Sequence, residues 1–162
     1  MTMTRKLLVT VAVGALSCVL PVTPAAAAVA VQGTVAGTYT STTSNPDTGH
    51  AYRLTAHGHT SLGATTAKGI VHGPGNIASG HCTARLTLTT SKGTIVVAVR
   101  SQKQFKAFAR CRNGFAFNWR TAKATGDYQG ASPSGTGTLT LVPPGHASST
   151  PPPAYVTFDP AN

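Results

Sequence analysis

The sequence predicts an all-β protein: a single antiparallel eight-stranded β-barrel, with a β-sandwich as the alternative. Three observations carry that expectation. No window repeats apolar residues at helical spacing. Threonine, valine and glycine fill short runs bounded by Gly, Pro, Asn and Asp, the composition of strands and turns. Within the runs apolar and polar residues alternate, so that Cys82, Ala84, Leu86 and Leu88 fall on one face and Thr83, Arg85, Thr87 and Thr89 on the other. Closure into a barrel is preferred because it removes edge strands.

In chain order, residues 1–28 read as a secretory signal peptide. Arg5 and Lys6 precede an apolar run at 7–20, then Pro21, Pro24 and the small-residue block 25–28. The run is short for a membrane span and lacks a basic stop-transfer flank, so no transmembrane segment is expected in the mature protein. A lipid-modified Cys18 is the alternative, but Ala15 stands where a lipoprotein signal usually has leucine. The barrel domain is expected over 29–142. Its strands are expected at 34–42, 51–61, 67–71, 82–89, 94–101, 105–110, 115–123 and 135–141, with Ser91, Lys92 and Gly93 turning the fourth into the fifth. Residues 143–162 form a Pro-rich connector and tail, in which 154–158 is either a last strand or a loose end.

Export sets the cysteine chemistry. Loss of the leader leaves Cys82 and Cys111, an even pair in an oxidising compartment, which is most simply a disulfide. Export also leaves eleven bases against three acids, a net charge of +8 with histidines neutral. All eleven bases lie between Asp47 and Asp127, a span without an acidic residue. Such a one-signed field serves solubility or meets an anionic partner.

The densest part is KQFKAFARCRNGFAFNWR at 103–120. A hairpin with a three-residue loop, Arg112, Asn113 and a left-handed Gly114, puts Phe105, Ala107, Ala109, Cys111, Phe115, Phe117 and Trp119 on one face. Lys106, Phe108, Arg110, Asn118 and Arg120 then fall on the other. Lys106, Arg110, Arg112 and Arg120 are therefore the candidate anion-binding residues. Leu86, Leu88, Val97 and Val99 join the aromatics as candidate core.

Residues 124–138, ATGDYQGASPSGTGT, together with HTSLG at 59–63, resemble the glycine-rich signature of allene oxide cyclase-like and dirigent-like barrels, shared by small secreted bacterial proteins of unknown function. The resemblance covers residues 33–142. It implies an eight-stranded antiparallel barrel with an internal cavity; no residue matches the polar and acidic groups on which activity depends in the plant proteins. Ala124 and Asp127 depart from the usual pattern.

Candidate chemistry is sparse. Asp47, Asp127 and Asp159 sit in turn-like or tail sequences, where aspartate caps its own backbone. His57 and His59, two apart on a strand, share a face and are the candidate metal ligands, though without the second ligand pair that marks a zinc site. Neither a phosphate-binding glycine loop nor a nucleophile elbow occurs. No catalytic residue and no cofactor are expected. The expected function is that of a secreted, non-enzymatic barrel binding anionic polymers or cell-surface components through phosphate-type contacts, without sequence-specific nucleic-acid recognition. The alternatives are an enzyme or carrier holding a small apolar ligand in the barrel cavity, and a histidine-based metal binder.

Overall fold

The computed structural model describes residues 29–45, 49–74, 79–106, 111, 113–147 and 149–159. The expected leader at 1–28 lies outside them, as do Asp47, Phe108, Arg110 and Arg112. Eight antiparallel strands close into a barrel in sequence order: β1 (Gly33–Asn45), β2 (Gly49–Thr60), β3 (Gly63–Gly73), β4 (Gly80–Thr90), β5 (Gly93–Phe105), β6 (Phe115–Gly126), β7 (Ser134–Leu141) and β8 (Pro153–Phe158). A 3-10 turn, Pro144–His146, lies in the connector. No described helix is long and apolar enough to cross a membrane.

The expected all-β barrel is thus formed, but two of its elements differ. β8 is a full member, pairing with β1 through Val35↔Val156 and with β7 through Leu139↔Val156, so the barrel extends past residue 142 to Phe158. Its alternation explains why it docks: Ala154, Val156 and Phe158 are buried while Tyr155 faces outward. Of the expected strand at 105–110, residues 107–110 lie outside the described residues. Phe105 is the last residue of β5, and β6 pairs further back along that strand, Ser101↔Phe117 and Val99↔Trp119. Gly114 has the expected positive φ, +104°, and its N–H donates to the Cys111 carbonyl; the rest of the expected hairpin loop and its first strand, at 107–110 and 112, lies outside the described residues.

The length of β5 has a local cause. Its register with β4 shifts between His81 and Thr83, and the buried Ser101 repairs the ladder there. Its hydroxyl accepts from the Cys82 N–H (3.0 Å) and donates to the Lys103 carbonyl (2.7 Å), while the Ser101 carbonyl sits 2.8 Å from His81 Nδ1. His81 Nδ1 also lies 3.4 Å from the Ser101 hydroxyl, so the pair holds the bulge through several backbone and side-chain contacts.

Inside, the inward residues of all eight strands make one cluster, as an eight-stranded barrel allows. Leu86, Leu88, Val97, Val99, Phe115, Phe117 and Trp119 are buried as expected. An edge-to-face series runs Phe105–Phe115–Phe117–Phe158–Trp119, with ring centroids 5.7 to 6.4 Å apart. The Trp119 indole N–H donates to the Thr136 carbonyl at 3.0 Å. The glycines of the SGTGT segment serve these rings: Phe117 lies opposite Gly137, where a Cβ would collide with the ring, and Trp119 opposite Gly135, where a Cβ would press on the indole at 3.1 to 3.2 Å. The Cys82–Cys111 disulfide, Cα–Cα 6.0 Å, ties the segment before β6 to the start of β4.

Candidate anion-binding wall

Antiparallel register converts positions far apart in sequence into rows across the outside of the barrel, with adjacent strands roughly 4.8 Å apart. One row runs Arg53↔Ile70↔Arg85↔Ala98↔Arg120 from β2 to β6. A second, two residues along, runs Thr55↔Lys68↔Thr87↔Val96↔Lys123. A third, on the other side, runs His72↔Thr83↔Arg100↔Asn118. Arg53, Lys68, Arg85, Arg100, Arg120 and Lys123 are all exposed. They form an acid-free wall over five adjacent strands, since no Asp or Glu occurs between Asp47 and Asp127.

Lys123 reaches this wall through a bulge. Val96 pairs with Lys123 and Val97 with Thr121, leaving Ala122 as the extra residue. Strict alternation from the outward Arg120 would send a residue three positions later into the core; the bulge returns the lysine to water.

The rest of the barrel is different in kind. The outward positions of β7, β8 and β1 are Thr136, Thr138, Thr140, Tyr155, Thr157, Thr34, Ala36, Thr38 and Thr40. This sector carries hydroxyls and no cation. Thr34 and Thr157 hydrogen-bond across β1 and β8 at 3.0 Å, and Thr136 donates to Asp159 at 3.5 Å. The charge is therefore one-sided.

Of the four residues named from sequence, Arg120 is on the wall and exposed. Lys106 is exposed but follows Phe105 at the end of β5, whereas Arg120 is level with Ala98. At roughly 3.3 Å per residue, the seven residues from Ala98 to Phe105 span about 23 Å, so Lys106 and Arg120 are not neighbours. Arg110 and Arg112 lie outside the described residues. Arg53, Lys68 and Arg85 were missed, being isolated single cations in sequence. The signal that marks them is that each is the polar member of an alternating strand.

Grooves lined by described residues lie on the outer wall and beside the connector. One of about 350 Å³ crosses β5 and β6 over Ala98, lined by Arg100, Asn118 and Arg120 with the backbone side of Val99 and Trp119. Another, of about 210 Å³, lies over Gly69 beside Arg53, Lys68 and Ile70. A third, of about 260 Å³, lies where Tyr39 and Tyr52 meet Pro144, Pro151 and Pro152. His57 and His59 are exposed on one face as expected. The His57 Nδ1 is 3.1 Å from the Thr66 hydroxyl, and among the described residues no third His, Cys, Asp or Glu converges on the pair.

No protein-family model matches the chain, and no curated protein or solved structure matches it.

Proposed function

We propose that this chain is an exported, non-enzymatic β-barrel that binds anionic polymers outside the cell through its cationic outer wall. The observation that carries the reading is the register that gathers Arg53, Lys68, Arg85, Arg100, Arg120 and Lys123 on β2–β6 and leaves β7, β8 and β1 uncharged. A requirement for solubility alone is met by cations spread around the barrel; a one-sided field orients an encounter. The wall's exposed side chains are guanidinium, ammonium and hydroxyl groups with the His72 imidazole, the Asn118 amide and aliphatic Ile70. Exposed Tyr155 stands on the uncharged sector, and among the described residues the wall presents no exposed Phe, Tyr or Trp, which supports contact with backbone phosphates over base stacking. The likeness to allene oxide cyclase-like barrels supplies architecture to this proposal and no activity. The inward side chains of the described strands, gathered in one buried cluster, support the outer wall over a barrel cavity as the binding surface.

The test is retention on immobilised heparin and on DNA of unrelated sequences across a salt series. Neutralising Arg53, Arg85 and Arg120 to Gln should reduce the slope of log affinity against log salt by about 0.7 to 0.9 per lost contact, equally for every DNA sequence. Each exposed substitution should cost no more than about 0.5 kcal/mol of stability. The matched control neutralises Lys92, Lys103 and Lys106, which are exposed at the strand ends. An equal loss in the control would reduce the wall to bulk charge and refute the proposal. N-terminal sequencing of secreted material tests export, with the mature chain expected to begin near residues 28–29.

A further inference from the structure

The wall is not uniform, and its least uniform point is Ala98. This small side chain is flanked across the ladder by Arg85 on β4 and Arg120 on β6, with Arg100 two residues along its own strand on the same face. Cross-strand partners lie roughly 5 Å away and diagonal ones about 7 to 8 Å, within reach of a guanidinium stem. Elsewhere in the same row the space between Arg53 and Arg85 is filled by the exposed Ile70. Over Ala98 it is open, and this is the groove of about 350 Å³ between Arg100, Asn118 and Arg120. Asn118, opposite Arg100, accepts a hydrogen bond at its Oδ1 from Gln102 Nε2 at 3.4 Å. That contact occupies the amide's acceptor end and leaves its NH2 free to donate.

We infer that the depression over Ala98 is a phosphate subsite, taking a phosphoryl group on a soluble anionic polymer between Arg100 and Arg120, with the Asn118 amide as a further donor and the charge of Arg85 on the neighbouring strand. The inference rests on the polymer-binding reading and gives that surface a chemical preference. The guanidinium forks of Arg100 and Arg120 and the Asn118 amide, which line the groove, match a tetrahedral anion with three or more acceptor oxygens; Arg85 stands outside that lining, across the ladder from Ala98. A planar carboxylate uses one such fork, and its remaining edge is apolar. Because no carboxylate occurs in this stretch of chain, the charge of the three arginines is left for an external anion to neutralise. The groove volume exceeds that of phosphate alone and reaches the lower range of small-molecule sites, at about 300 Å³ and above. It therefore admits the phosphoryl group together with the unit that carries it.

The experiment follows the arginine side-chain N–H resonances of the whole mature protein by NMR while inorganic phosphate is added at constant ionic strength, with acetate as the comparison. Phosphate should shift the Arg100 and Arg120 signals saturably, and acetate should not. Ala98→Leu fills the floor without altering charge and faces outward, and it should weaken phosphate by about tenfold, the equivalent of one charge-assisted hydrogen bond. It should leave the heparin salt slope unchanged. Short polyphosphate should displace inorganic phosphate; displacement by phosphatidate vesicles and not by polyphosphate would overturn the polymer assignment. Equal shifts with acetate, or unchanged phosphate binding in Ala98→Leu, would overturn the subsite while a steep salt slope still upheld the polymer-binding wall. A flat salt slope with saturable phosphate binding would reverse the two conclusions.

Discussion

Replacing Gly137 by alanine puts a methyl group where β7 meets two neighbours. The new Cβ would collide with the Thr157 carbonyl oxygen on β8 and would lie 2.6 and 2.8 Å from two carbon atoms of the Phe117 ring on β6. The first obstacle is backbone inside a closed barrel, and the second is a ring wedged against Phe115 and Phe158. Neither moves cheaply. Overpacking of this kind costs about 1 to 3 kcal/mol, and a double obstruction belongs toward the upper end. Alanine also restricts the unfolded chain, which returns about 0.4 to 1 kcal/mol because the backbone at 137 is not left-handed. The net loss is about 1 to 2.5 kcal/mol, or a fall in Tm of roughly 3 to 9 °C for a domain of this size. Gly145→Ala is the control. It meets no atom within 4 Å and should raise Tm slightly, by the unfolded-state effect alone. Thermal unfolding followed by circular dichroism reads both variants. Combining Gly137→Ala with Phe117→Leu should recover part of the loss expected from adding the two changes, since the ring obstacle disappears and the carbonyl remains. A Gly137→Ala shift of the same sign and size as Gly145→Ala would show that the glycine does not seat the ring.

Cys82→Ala, or reduction, opens a loop of sequence separation 29 and should cost about 3 to 4 kcal/mol in denaturant unfolding. Thiol labelling of the unreduced, denatured mature protein should find no free cysteine. Trp119, the only tryptophan, is 3% exposed, so the folded protein should emit at blue-shifted wavelengths and Trp119→Ala should lose roughly 3 to 5 kcal/mol. A water-exposed emission spectrum in the folded state would contradict the packing around β6.

Alternation of apolar and polar residues along one strand is a local property, and by itself it determined which side chains of β4, central β5 and the first half of β6 point inward. A period of two has one buried phase when one face of a sheet is dry, so Leu86, Val97, Phe117 and Trp119 could be assigned without knowing their partners. The Cys82–Cys111 pairing was legible from the expectation of export, which set Cys18 aside with the leader and left two cysteines to join. Position within the barrel was not local. β8 carried the alternation of Ala154, Val156 and Phe158, but only the gap between β1 and β7 makes that segment a strand and not a tail. The extra residue at Ala122 reverses parity and turns Lys123 outward, which no single-strand pattern announces. The cluster at 103–120 drew attention because its charges are neighbours in sequence. Yet the wall assembles Arg53, Lys68 and Arg85 with Arg100 and Arg120 from strands tens of residues apart. Hydrogen-bonded register, a property of pairs of strands, alone decides which outward side chains stand side by side.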